Sequence, residues 1–293
     1  MKRMMIFLIL FAAISAASLY MYHNQTDEVK ESIIYFPIDP TVTFKSADTV
    51  LKILEEKDED EYTIQWKVNS ELGKTAYLRQ DISLLYEDGL LKGKLSKWME
   101  NEDVLQQKEI VTNEDSGHFE AISFHHAELH YPNDIIKSAQ TMSYDQLYVI
   151  DSPLQPLESF KTPETKQDEI NKKILDHATN QQMKVIWHNL IKHFNIQVDH
   201  YYMMPLTKIS DYDSIPLPGL TKEKTDQVIG GLWEGIYKNY FLGIKDGAGE
   251  IESPIGSSLP LILISKDMSH LLFLTETQSG RNVQFVQFID PSK

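Results

Sequence analysis

Between residues 62 and 131, apolar and polar positions alternate in short runs. In YTIQWKV, Tyr62, Ile64, Trp66 and Val68 fall on one side and Thr63, Gln65 and Lys67 on the other. That is the period of two expected of a half-buried strand. DISLLYEDGLLKGKLSKW predicts two strands about Asp88-Gly89, a pair that readily takes the positive φ values of a tight hairpin. Polar clusters near 100–103 and 113–117 predict further turns, giving an antiparallel meander over 48–131. Residues 48–56 fit either its first strand or a short helix starting at Ser46.

In the second half the period lengthens. Residues 164–194 place Ile170, Ile174, Ala178, Ile186, Leu190, Ile191 and Phe194 near helical spacing, with HATNQQ as a candidate break between two helices. Beyond Thr221, a plausible N-cap, Val228, Ile229, Leu232, Trp233, Ile236, Tyr237, Tyr240 and Phe241 form a broad apolar stripe. Gly231 and Gly235 lie four apart on this helix and suit close packing on a sheet, since Glu234 and Lys238 interrupt the segment too early for a membrane span. LPLILISKDMSHLLFLTETQSGRNVQFVQFI predicts three strands turning near 266–269 and 278–281.

The expected fold class is therefore α+β: an N-terminal membrane anchor, an antiparallel β-meander module, a helical segment, and a helix plus three-stranded antiparallel meander. Prolines 153, 156 and 163 mark a domain boundary. The expected organisation is an anchor over 1–22, a stalk over 23–45, a β-rich module over 46–152, a linker over 153–163 and an α+β module over 164–293.

The leader changes the picture. Lys2 and Arg3 precede an uncharged run from Met4 to Tyr22. As a helix this run is roughly 28 Å long, close to the ~30 Å of a bilayer's hydrocarbon core. Basic residues before it and Asp27 and Glu28 after it place the N-terminus in the cytoplasm and the body outside. The rival reading is a signal peptide cleaved after Ala17, which would release the body. Cysteine is absent, so disulfides, thiolate metal sites and a cysteine nucleophile are excluded. A net charge of −15 argues against nucleic acid, and the expected partners are the membrane, through residues 4–22, and an envelope protein or peptide.

Candidate chemistry centres on SFHHAELHY, residues 123–131. On a strand, His118, Glu120, Ile122, Phe124, His126, Glu128 and His130 share one face, and His125 lies on the other with Phe119, Ala121, Ser123, Ala127, Leu129 and Tyr131. His126, Glu128 and His130 are the candidate metal ligands, for zinc or iron. Residues i and i+4 of a flat strand stand roughly 13 Å apart, so at most a neighbouring pair could share one ion. The bland reading is a strand whose polar face carries histidines, with no cofactor. The G-x-S-x-G elbow, the Ser-x-x-Lys pair, the phosphate loop and the dinucleotide fingerprint all fail to match.

The function expected from these features is a membrane-anchored extracytoplasmic protein with a binding or regulatory role toward a protein or peptide. The alternatives are a metal-dependent envelope hydrolase and, more weakly, a small-ligand module using the tryptophans. For partner contact the candidates are Trp233, Tyr237 and Tyr240, with the loop 243–258.

Overall fold

Asp88 and Gly89 both take positive φ, 47° and 81°, and close the tight hairpin that the sequence predicts between the two longest strands. A computed structural model describes residues 34–58, 61–152, 155–245 and 250–289. The expected anchor, residues 4–22, lies outside the described residues. Among those described, no helix is long and apolar enough to cross a membrane.

Six strands build the first sheet: β1 Phe44–Asp58, β2 Glu61–Glu87, β3 Leu90–Asn113, β4 Gly117–Tyr131, β5 Ile135–Ser152 and β6 Gln155–Phe160. Residues 48–56 are thus strand, not helix. The polar cluster at 100–103 does not end a strand either. β2 and β3 form one paired ladder in which the register shifts between Glu71 and Ala76, opposite Asp103 and two residues from Asn101 at φ 55°. An interruption of this kind bends paired strands instead of separating them.

The bend gives the sheet its shape. β1 pairs with the first half of β2 and β4 with the second half, so the order is β1-β2-β4-β5-β6 with β3 along the other edge of β2. The sheet curls into a nearly closed, barrel-like form in which β1 returns toward β4 and β5. Its interior is layered. One apolar layer contains Trp66, Leu85, Phe119 and Val149, and another contains Leu72, Ala127, Leu129 and Ala139. Between these layers, in sequence along each strand, stand Ser70, Arg79, Asp81, Ser83, Ser123 and His125, all buried.

Helix α1, Lys166–His193, begins at a capping box in which the Thr165 side chain accepts from Asp168 N–H and Asp168 accepts from Thr165 N–H. It runs unbroken through HATNQQ, correcting the expected break. Ala and Gln are good helix formers, and Thr179 turns inward to donate to Asp88 at 3.4 Å. Strand β7, Tyr201–Pro205, leads into a 3-10 turn, Leu206–Tyr212. Helix α2, Lys222–Ile236, starts where Thr221 accepts from Lys224 N–H and passes into a wider turn, Tyr237–Phe241. After the short pair β8 Ile244–Lys245 and β9 Ile251–Glu252 come β10 Leu261–Ser265, β11 His270–Glu276 and β12 Asn282–Phe288. The three terminal strands form the expected meander, and β7 adds a fourth in the order β12-β11-β10-β7.

The outer face of β2 and β4 is covered. Ile82, Leu84, Ile122 and Phe124 share one buried cluster with Val228, Trp233, Ile262 and Phe273. Residues on both sides of 153–163 therefore contribute to one core, within a single unit, Ile33–Lys293. The stretch expected to be a linker carries β6, which pairs with β5. The architecture is predominantly antiparallel β, with few helices packed on it.

Candidate functional site

Strand β4 carries both histidine rows on the faces that alternation predicts, and each row meets a different environment. At one end of the outward row, His126 is 2 % exposed, with Nε2 3.2 Å from Ser138 Oγ and Nδ1 unpartnered. Glu128 and His130 form a pair of their own at 2.5 Å, and the His130 ring stacks on Tyr77 at 3.8 Å. The structure thus joins two of the three candidate ligands and leaves His126 to Ser138. Among the described residues, no group of three or more His, Asp or Glu is placed to hold a metal ion.

Burial, and next the Arg79 charge, pull the His126 pKa down to about 4. The unfolded ring takes up its proton near pH 6.5 and the folded ring only near pH 4, so protons favour the unfolded chain between those values. Stability should fall by up to about 3 kcal/mol as pH drops from 6.5 to 4 on this account. His126→Leu removes the ring, and Ser138 Oγ keeps its bond from Phe36 N–H. Urea titrations of both proteins at pH 7 and pH 4.5 should show a smaller acid loss in the variant. Equal losses would refute the assignment.

The inward row carries His125, whose role the sequence did not disclose. Its Nδ1 lies 2.9 Å from Asp81 Oδ2 and its Nε2 2.8 Å from Ser143 Oγ. Asp81 also accepts from Ser70, and Ser70 from Arg79. Thr49 joins Ser143 to Ser123, which donates to Ser83. The order Asp81–His125–Ser143 matches that of a hydrolytic triad. Yet Ser143 Oγ is also bonded to Thr49 and sits between apolar layers in a barrel wall. This network closes on itself and serves as the barrel's polar layer.

The partner-contact candidates are core, not surface. Trp233 is 0 % exposed and stacks on Phe124 at 5.3 Å; Tyr237 is buried; Tyr240 is buried, with its hydroxyl 2.6 Å from Ser257 Oγ. The helical stripe was legible in the sequence, but its cover, the outer face of β2 and β4, was not. Of the two glycines, a Cβ on Gly231 would strike Gln287 of β12 at 2.7 Å, whereas one on Gly235 would meet open space. Close packing on a sheet therefore explains only Gly231. Within the loop 243–258, residues 246–249 lie outside the described residues.

A different set of polar residues converges at the other end of the outward row. Here β4, β5 and α1 enclose a cleft of about 230 Å³. The β4–β5 register sets His118 opposite Tyr148, Glu120 opposite Gln146 and Ile122 opposite Tyr144. His118 stacks flat on Tyr148, with ring centres 4.0 Å apart. Tyr148 donates to Asp176 Oδ1 at 2.8 Å, Lys172 donates to Asp176 Oδ2 at 2.8 Å and to the Tyr148 hydroxyl, and Tyr144 donates to Glu120 Oε1 at 2.8 Å. Lys172 and Asp176 meet because they stand four apart on a helix. Trp187 lies deeper along α1, and exposed Lys208 stands at the rim.

Burial, above all, raises the Tyr144 and Tyr148 pKa values, and the carboxylates they serve raise them further. Both phenols are held as donors. Burial likewise pushes the His118 pKa below its ordinary value, so at neutral pH the ring is uncharged. Its Nδ1 is 3.9 Å from Asp176 Oδ1, Nε2 is buried with no partner within 3.5 Å, and the Gln146 side chain stands near enough to favour the charged ring. An orphaned buried nitrogen is costly in a folded protein. Nε2 is closed off from solvent, so the ring lines the cleft without presenting that nitrogen to it. A wider hollow of about 860 Å³ lies beside residues 158–168, but Asp168 there is already used in the helix cap.

The sequence shows the ingredients of the cleft, His118 and Glu120 in one row and Tyr144, Gln146 and Tyr148 in another. It does not show the register that opposes them. No known family model matches the chain, and no curated protein matches its sequence.

Proposed function

We propose that this chain is an extracytoplasmic binding protein, held at the membrane by residues 4–22, that seats a group of a protein or peptide partner in the cleft between β4–β5 and α1. The observation that carries the reading is the cleft itself, where His118, Glu120, Tyr144, Tyr148, Lys172 and Asp176 converge from β4, β5 and α1. Tethering confines the body to the membrane surface and raises its effective concentration toward partners there. Binding is favoured over catalysis because the acid–imidazole–hydroxyl series Asp81–His125–Ser143 is bonded into the barrel's polar layer.

Selection of displayed random hexapeptides on the full chain in detergent micelles tests this reading. Wild type should enrich a family of peptides that lose at least tenfold in affinity on His118→Phe, a change that keeps a ring against Tyr148 and removes Nε2. No enrichment, or equal binding to both proteins, would refute it.

A further inference from the structure

Strand β12, Asn282–Phe288, is an outer strand of its sheet, and its sequence NVQFVQF carries no charge. An exposed edge strand invites pairing with another chain, and proteins usually blunt such edges with charges, prolines or bulges. The other outer strands of the two larger sheets follow that rule. β1 and β3 carry several lysines each, β6 contains Pro156, and β7 ends at Pro205. β12 has none of these devices, and its register with β11 runs from Asn282 to Phe288 without a shift.

The backbone of β12 is open on its outer side. Thr277 N–H donates to Arg281 O and Ile289 N–H to Ser269 O, so odd-numbered residues here turn their N–H and C=O groups toward β11. Gln284, Val286 and Phe288 turn theirs away, and among the described residues nothing pairs with them. The strand is held firmly from within: Gln287 donates to Val228 O of α2 at 3.0 Å, and Phe285 packs on Phe273 at 5.6 Å. Beside the edge, α2 and β12 border a hollow of about 520 Å³ whose lining includes Tyr35, Gly235, Val286, Phe288 and Ile289. Gly235 keeps it open, since a Cβ there would meet nothing within 4 Å. Val286 is 48 % exposed and Phe288 83 %. Glu234 and Lys238, the charges at the hollow, are paired with each other at 2.6 Å.

We infer that the free edge of β12 binds a peptide segment in extended conformation. The segment adds as a fifth strand and lays alternate apolar side chains against Val286, Phe288 and the hollow at Gly235. Backbone pairing supplies the affinity in such an addition, and the hollow selects the side chains. The site uses none of the residues of the cleft and stands independently of it. A second copy of the chain suits the edge less well on two counts. The net charge of −15 sets two copies against each other. The hollow is also lined by twelve residues, against roughly 20–30 a side in a stable interface between proteins.

Calorimetric titration of the full chain in micelles tests this with a pool of end-blocked heptapeptides, with valine at positions 2, 4 and 6 and serine, threonine or glutamine elsewhere. The expected result is saturable binding, at least tenfold weaker for the same pool N-methylated throughout its backbone. Val286→Pro removes an outward N–H, leaves the ladder to β11 its donors, and should cost at least tenfold in affinity. Val286→Lys, which keeps the amide and charges the edge, should cost as much. His118→Phe should bind as wild type does, which separates the edge from the cleft. Binding should also slow hydrogen exchange at the amides of Gln284, Val286 and Phe288 at least tenfold. No binding, equal binding of the methylated pool, or loss on His118→Phe instead of on the Val286 variants would overturn the inference. Slow exchange at those amides without peptide, deepening as protein concentration rises, would make a second copy the occupant and overturn it as well.

Discussion

Asp81→Asn should destabilise the protein by about 3–5 kcal/mol, the cost of breaking a buried ion pair from one side. Asp81 and Arg79 are both essentially inaccessible, with Arg79 Nη2 3.8 Å from Asp81 Oδ1. Asparagine matches the shape of aspartate but carries no charge, so the guanidinium would lose its main charge partner and keep only the weaker Asp103 charge and its bonds to Asp103 O and Ser70 Oγ. Burial already presses the Arg79 pKa downward. Arg79→Met in the Asp81→Asn background should recover part of the loss, because the cost lies in the unpaired charge and not in missing volume. Chemical denaturation followed by tryptophan fluorescence reads both effects. A loss below about 1 kcal/mol for Asp81→Asn would show that the pair is screened by solvent, and that the barrel's middle layer is not dry.

The same layer fixes strand register. Ser83, Ser123 and Ser143 stand opposite one another across β2, β4 and β5. A slip by one residue would turn this row outward and bring the other face inward. The hydroxyl row, with Asp81 and His125 beside it, penalises that slip.

Trp233→Ala should cost about 3–5 kcal/mol, the range for emptying a buried aromatic site. Trp233 lies where the outer face of β4 meets α2, stacked on Phe124. The cavity would open in the cluster shared by both halves of the chain. Far-ultraviolet circular dichroism, dominated by the secondary structure, and the fluorescence of the remaining tryptophans should then lose signal in one coincident transition at lower denaturant. A barrel that unfolds at the wild-type midpoint while the second half melts early would mean that the two halves have separate cores.

Legibility varied with how local the determining physics is. The Asp88-Gly89 hairpin, the Thr221 cap and the two faces of β4 rest on a few adjacent residues, and the structure has all three. The bend in β2 and β3 was misread because polar residues around Asn101 resemble those of a turn, and only pairing with β2 shows a kink. Residues 78–86 of β2 are buried on both faces although Arg79, Gln80 and Asp81 sit among them, because the curled sheet covers one face and α2 with the terminal strands the other. Tyr237 and Tyr240 were placed on the right stripe but at the wrong surface, since what covers a stripe is decided elsewhere in the chain. Of the cleft, His118 and Glu120 were already in the correct row. The opposing tyrosines and α1 were not legible, because strand register and helix docking are non-local.

The most direct test of the binding account is the ring nitrogen spectrum of His118. Full-length protein with ¹⁵N-labelled histidine, titrated in micelles with a peptide from the hexapeptide selection, reports each imidazole separately. The account predicts that the His118 ring signals shift in step with saturation while those of His125 inside the barrel stay fixed. Saturable binding that leaves His118 unmoved and shifts His200 or His270 instead would place the site elsewhere and contradict the account.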